Sequence, residues 1–402
     1  MRAIIILLSI FTILLGKENK LQLTINVTEP NINYSYLGED FYETCRPKNM
    51  DSNMVNYEET GLKILEITCT NENISSLEKM FLDCYDIIFI NLTNFDTSNI
   101  TDMSSMFEGC SSLVSLDLSN FNTSNVEDMY CIFKLCTSLK SIDLSKFITS
   151  NVGDMGSMFE GCTSLVSLNL SNFNTSNVYY MDNMFEGCTS LVSLNLSNFN
   201  TSHVYYMYYM FEGCTSLVSL DLSNFNTSNV EYMICMFKGC TSLESIDLSK
   251  FNTSNVYLMK SMFEGCTSLE SLDLSKFNTS KVETIDDMFK NCTSLKTLDI
   301  SNFNTSNAKN FSGMFDNCQD LAFINLLNYN GNDIFTSLNQ TDNLEIYISD
   351  NDKLNDEAFK SLKEKNVTIK TPKQSASKPI LLRLILIPIL FLKYILKLLK
   401  LL

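Results

Sequence analysis

A phenylalanine followed three residues later by a cysteine recurs every 26 residues, from Phe81/Cys84 to Phe315/Cys318, with no insertion or deletion between. A fixed period in the range of about 20–50 residues marks a solenoid, in which each unit buries its apolar face only by stacking on its neighbours. Units that touch along their length cannot drift in length, and here they barely drift in sequence. The stretch "FEGCTSLVSLNLSNFNTS" stands unchanged at Phe159–Ser176 and Phe185–Ser202, and differs at Phe211–Ser228 only by Asp221. This regularity outweighs the total of 402 residues, which alone would suggest two or three globular domains.

One unit can be read from Leu113 to Cys136. Leu113, Leu116 and Leu118 form L-x-x-L-x-L, whose second half alternates as a strand does. After Phe121 and the turn "NTS", the spacing of Val126, Met129, Ile132 and Phe133 predicts one face of a short helix. Ser124/Glu127, Ser228/Glu231 and Ser280/Glu283 read as capping boxes at its start. Gly109, Gly161, Gly187, Gly213, Gly239 and Gly265, with Asn291 and Asn317 in the same slot, read as its left-handed C-terminal cap. Asp83 suits that slot less well, and Leu135 is expected to be strained there. The expected fold is an α/β solenoid: a right-handed, leucine-rich-repeat-like stack of strand–turn–short helix units over residues 62–326. All its leucine strands would lie in one parallel sheet, roughly 50 Å long at about 4.8 Å per strand.

The segment "MFEGCTSLVSLDLSNFNTSNV", Met210–Val230, resembles the 26-residue repeat of BspA-like leucine-rich-repeat surface proteins of bacteria and anaerobic protists. The resemblance covers residues 62–326 and departs from the commoner leucine-rich consensus by placing Phe121, not asparagine, beyond the last strand leucine. It implies a cell-surface protein of adhesion or of host and neighbour contact, and carries no catalytic residues to transfer.

The ends read differently. Residues 1–16, with Arg2 and an apolar run from Ala3 to Leu15, read as a secretory signal, the alternative being an uncleaved anchor. Residues 17–61 and 327–371 would cap the stack, the latter through "LEIYIS" and "DEAFKSLKEKNVTIK", with 372–379 as a linker. Residues 380–402 combine an apolar stretch with Arg383, Lys393, Lys397 and Lys400, and read as a membrane anchor. It would span with snorkelling cations or lie in the interface; its lysines weigh against a processed lipid-anchor signal. The net charge of −17 argues against nucleic acid as a partner.

Stacking turns every repeated position into a column. The cysteine column is expected to be buried and unbridged, because parallel Cβ vectors in a ladder do not converge to disulfide distance. Cys131 and Cys235 would sit exposed on the outer face, and Cys45 with Cys69 is a candidate disulfide in the first cap. The strand column Asn91, Asp117, Asp143, Asn169, Asn195, Asp221, Asp247, Asp273, Asp299 and Asn325 would face outward, as a solvated face or a cation site. Asn122 and its equivalents spell glycosylation sequons, but crowding at about 4.8 Å favours structural asparagines that bond turn backbone between units. His203, the single histidine, occupies an asparagine slot and reads as a substituted turn residue.

What varies between copies is the outer face. Tyr179 and Tyr180, then Tyr205, Tyr206, Tyr208 and Tyr209, then Tyr232 and Tyr257 fall in successive units, where other units carry residues such as Glu127 and Asp128. Tyrosine supplies large amphipathic contact area at low entropic cost, so the group is a candidate partner-binding patch. No catalytic, cofactor or metal set accompanies it. The expected function is non-enzymatic binding of a protein or glycan ligand at the cell surface. The alternative is a structural spacer or coat component without a specific ligand.

Overall fold

The computed structural model describes residues 19–27, 33–34, 45–47, 55–56, 61–69, 74–92, 95–327, 344–348 and 367–370. Its central part is a β-solenoid of parallel strands, stepping by 26 residues per coil. On one flank the expected single parallel sheet is instead three separate parallel ladders among the described residues: Ile90 pairs with Leu116, Leu194 with Leu220, and Leu272 with Leu298, Ile324, Ile346 and Ile369 in turn. On the opposite flank nine parallel bridges run without a break from Ser76 through Asp102, Asp128, Asp154, Tyr180, Tyr206, Tyr232, Leu258 and Thr284 to Asn310.

Among the described residues there is no helix, so the α/β expectation is corrected to a β-solenoid. The segment expected to be helical is a chain of tight turns. The N–H groups of Met103, Ser105, Phe107 and Gly109 donate to the carbonyls of Asp128, Tyr130, Ile132 and Lys134 in the next coil, at 2.7–3.0 Å. The N–H groups between them, on Met106, Glu108 and Cys110, close turns back onto Met103, Ser105 and Phe107. The physical reason is spacing. An α-helix is about 10 Å across and packs at 8–10 Å, whereas coils joined by a ladder rise only about 4.8 Å. Eight residues are also too few for a helix that must hold itself together.

The apolar spacing is satisfied equally by these turns, which is why it misleads. Two residues per coil take left-handed backbone, four positions apart. One is the glycine column, where Gly161 has φ 70° and Asp83 and Leu135, both at 58°, fill the same slot. The conformation expected there is present, but it closes a turn rather than caps a helix. The other is Lys79, Ser105, Cys131, Ser157, Asn183, Tyr209, Cys235, Ser261 and Asp287, all at 52–57°. Ser124 and Glu127 form no capping box: the Ser124 N–H bonds Asn122 Oδ1, and the Glu127 N–H bonds Thr101 O of the preceding coil.

The interior is built from columns. Phe81, Phe107, Phe133, Phe159, Phe185, Phe211, Phe237, Phe263, Phe289 and Phe315 are buried and stack ring on ring, 5.5–5.8 Å between centroids. The methionine, leucine and valine columns close around them. Truncating one such phenylalanine would cost about 3–5 kcal/mol.

Buried threonines lock consecutive coils. Thr201 Oγ1 donates to Asn226 O at 3.0 Å and accepts the Asn226 N–H at 2.8 Å. The same double bond recurs from Thr97/Asn122 to Thr279/Asn304. It uses only backbone atoms of the second residue, so Ile148 serves Thr123 as well as asparagine would. Thr305, at the end of the column, is buried with its hydroxyl unpartnered.

At the N-terminal end the pairing is antiparallel. Strand Asn19–Val27 pairs with both Gly61–Cys69 and Ile87–Asn91, so residues 61–69 lie in this antiparallel sheet and the parallel register starts at Ile87–Asn91. At the other end Glu345–Tyr347 and Thr368–Lys370 continue the parallel sheet. The signal 1–16, the linker 372–379 and the tail 380–402 lie outside the described residues, among which no helix is long and apolar enough to cross a membrane.

The threonine column carries its own control. Thr201→Val removes the hydroxyl that both accepts from and donates to the part-buried backbone of Asn226 and is expected to lower stability by about 1–3 kcal/mol. Thr305→Val removes an unpartnered hydroxyl and is expected to be neutral or slightly stabilising; urea unfolding of the two variants checks the difference.

Candidate partner-binding face

The bridged flank exposes its side chains in columns, and two of these carry the tyrosines. Tyr180, Tyr206 and Tyr232 are successive bridge partners, and their rings stack at 5.4 and 5.2 Å between centroids. In the neighbouring column Tyr179 and Tyr205 stack at 6.3 Å, below Glu231 and Tyr257. Tyr208 meets Tyr206 and Tyr209 edge to face at 6.0 and 5.6 Å. Tyr179 and Tyr180 keep 44% and 41% of their surface exposed, Tyr205 and Tyr257 are exposed too, and Tyr206, Tyr208, Tyr209 and Tyr232 are half-buried. None is in the core. The expected juxtaposition is therefore present, produced by ladder stacking rather than by a helix surface.

The tyrosine column continues directly into carboxylates. Below Tyr180 come Asp154, Asp128 and Asp102, each bridged to the next. Asp128 Oδ1 accepts the Tyr130 N–H and Asp154 Oδ1 accepts the Gly156 N–H, both at 2.8 Å, so each caps its own turn. Burial is the main force pushing Asp154 up to about 6; the Gly156 N–H opposes it, and Asp128 and Asp182 add repulsion. Burial likewise raises Asp128 against the Tyr130 N–H, with Asp102 and Glu78 adding to it. Asp182 stands one column over, half-buried and raised chiefly by burial, with the Tyr208 hydroxyl donating to it.

These aspartates have no basic partner among the described residues, although most lysines of the same flank do find acids. Lys134 pairs with Glu160, Lys238 with Glu212 and Glu264, Lys260 with Asp286, and Lys309 with Glu283. Between the first two pairs stands Glu186, raised by burial and bonded to Asn183 rather than to a cation.

Other expected residues fall as follows. All ten column cysteines are buried free thiols, and from Cys110 onward each Sγ donates to a phenylalanine carbonyl of the preceding coil, at 3.0–3.1 Å. Burial pushes the Cys110, Cys162 and Cys240 thiols up to about 12. The exposed placement of Cys131 and Cys235 is overturned: they are 2% and 4% exposed, because the small thiol is covered by neighbouring side chains on the turn flank, Tyr130 and Ser157 at Cys131 and Ser261 at Cys235. Backbone register sets Cys45 opposite Cys69 on antiparallel strands, and such partners lie about 4.5–5.5 Å apart, within disulfide reach.

The strand carboxylate column is a row of turn caps. Asp117, Asp143 and Asp221 accept the N–H groups of Ser119, Ser145 and Ser223, which holds all three below the usual carboxylate range; Asn169 and Asn195 make the same bond. Among the described residues no cluster of acids, cysteines or histidines is placed to hold a metal. The Asn122 side chain bonds its own turn and not the adjoining unit as expected, because its Oδ1 accepts the Ser124 N–H; coil-to-coil side-chain bonding falls to Asn125, whose Nδ2 donates to Ser98 O. His203 is exposed in that slot, edge-on to Tyr179. The sequence reading missed the acidic half of the bridged column and the threonine locks. The signal for each was present, in the 26-residue spacing of Asp102, Asp128 and Asp154 and in that of the threonines from Thr97 to Thr305.

A family model described as "Mycoplasma protein of unknown function, DUF285" matches residues 75–191, 164–246 and 243–343, which together take in most of the chain. The chain belongs to the DUF285 family. No curated protein matches it. Among solved structures this DUF285 chain is similar to one titled "Crystal structure of TLR13-ssRNA13 complex", at 15% identity and a TM-score of 0.20. That likeness covers 74% of this chain and 59% of the other.

Three measurements follow from this geometry. At pH 7 the ionised Asp154 is held against burial, so it costs stability. The cost disappears as pH falls through about 6 and is gone near the unfolded value of about 4. Asp154→Asn keeps the turn cap, as Asn310 does for Ser312, and is expected to raise Tm by on the order of 2 °C at pH 7 and by nothing at pH 4. In native protein, alkylation of Cys131 and Cys235 is expected to be as slow as at the column cysteines. Non-reducing peptide mapping is expected to recover Cys45 and Cys69 joined.

Proposed function

We propose that this protein is a non-enzymatic binding module, displayed at the cell surface, that uses its tyrosine face to hold a protein or glycan ligand. The observation that carries the reading is concentration. Between the two coils whose eighteen residues recur unchanged, the differences are Asn177/His203, Asp182/Tyr208 and Asn183/Tyr209, all at turn positions outside the core, where tyrosine is the commonest residue. A spacer has no use for exposed aromatic surface, whereas an aromatic cluster with a wet edge is the usual anchor of an interface. The BspA-like resemblance supports surface display, as do the apolar start of the chain and its cationic, apolar end. The tail would hold the solenoid to the membrane, and the chain would reach the surface through the secretory pathway.

Replacing Tyr205, Tyr206, Tyr208 and Tyr209 together with serine tests this reading. Exposed substitutions cost about 0.5 kcal/mol or less, and each lost ring pair adds about 0.5–1.5 kcal/mol, so the variant should remain folded. Binding to a glycan and matrix-protein array is expected to fall tenfold or more. A folded variant that binds as the wild type does would leave the tyrosines as sequence drift and overturn their role in binding.

A further inference from the structure

The ligand chemistry can be narrowed from the same face, on the reading that the face binds at all. We propose that the Tyr180–Tyr206–Tyr232 stack, together with Asp128, Asp154 and Asp182, takes an extended polypeptide segment of another protein that bears lysine or arginine side chains. Three observations carry this.

The first is continuity. The aspartates and tyrosines occupy one bridged column, Asp128–Asp154–Tyr180–Tyr206–Tyr232, so a strand laid along the solenoid would meet carboxylates and then aromatic rings at a repeat of about 4.8 Å. Alternate residues of an extended peptide lie about 6.8 Å apart, a spacing that lets its cations reach both kinds of group.

The second is missing charge. Among the described residues Asp128, Asp154 and Asp182, all half-buried, have no basic partner, while Lys134 and Lys238 on either side are taken up by Glu160 and by Glu212 with Glu264. Burial works against the ionised aspartates, and an arriving cation would relieve it.

The third is an internal precedent. Where the tyrosines give out, the chain supplies its own cation: Lys281 Nζ lies 5.9 Å over the ring of Tyr257. Tyr180, Tyr206 and Tyr232 present the same ring type, and among the described residues no such cation lies upon them; a cation over an aromatic face is attracted most when water is excluded. A glycan lacking positive charge would use the rings but leave the aspartates unpaired. An anionic membrane surface would be repelled.

The test uses the full chain and a short oligoarginine peptide, with oligoglutamate as the counterpart. Oligoarginine is expected to bind, oligoglutamate not, and added salt to weaken the binding. The variant Asp128→Asn/Asp154→Asn/Asp182→Asn keeps the acceptor oxygens of the turns and is expected to lose binding tenfold or more. As a control, Asp221→Asn/Asp247→Asn/Asp273→Asn removes equal charge from the sheet flank, at positions where other coils already carry asparagine, and is expected to change binding less than twofold. Equal loss in both variants would mean attraction to net charge alone and would overturn the proposal. So would binding that appears only after Lys393, Lys397 and Lys400 are changed to glutamine, since the chain's own tail would then be the occupant. A wild-type chain that ignores oligoarginine, yet binds an array ligand through its tyrosines, would sink the cationic partner and leave the binding reading standing.

Discussion

The whole molecule depends on the rise of its coils. Backbone hydrogen bonds between successive coils fix it near 4.8 Å, and here they act on both flanks, leucine strand on one side and bridged turns on the other. A leucine strand backed by helices must fan open, because helices need twice that spacing. This protein avoids the mismatch by spending its second flank on turns whose alternate N–H groups bond forward, as those of Met181, Asn183, Phe185 and Gly187 do. The left-handed residues at two positions per coil are the backbone cost of that solution.

With the rise fixed, each position becomes a column, and each column must be compatible with its own repetition. Phenylalanine is compatible because rings stack, and threonine because one hydroxyl can give and take a bond between adjacent coils. Cysteine is compatible because a small thiol can donate to the carbonyl of Phe185 or its equivalents without meeting its neighbour. Carboxylates are the least compatible, since like charges then stand a few ångströms apart. The protein relieves most of them by interleaving lysines, as at Glu160, Lys134, Glu212 and Lys238, or by leaving the aspartates of the sheet flank exposed to water with asparagine in some coils.

The exception is the run of Asp102, Asp128 and Asp154, which is neither interleaved nor exposed enough to be fully solvated. It abuts the tyrosine stack in the coils whose remaining sequence is most uniform. Stability is given up there, and sites where stability is given up are where proteins do their work.

Much of this was written in the sequence. The period of 26 residues determined a solenoid and its step, and with it the phenylalanine and cysteine columns, the outward tyrosines and the left-handed slot of Gly161 and its equivalents. These depend only on repetition and on local backbone preference. What the sequence could not decide was the second flank. Val126, Met129, Ile132 and Phe133 present the same apolar spacing whether the chain between them is helix or turn, because periodicity reports which side chains point inward and not where the backbone bonds go. Only the stacked structure settles that, through the N–H groups of Met129, Cys131, Phe133 and Leu135 bonding to the following coil. The burial of Cys131 and Cys235, the threonine locks and the meeting of Asp154 with Tyr180 follow from that choice, and each is a contact between residues 25 or more apart whose partner exists only once the coils are in register.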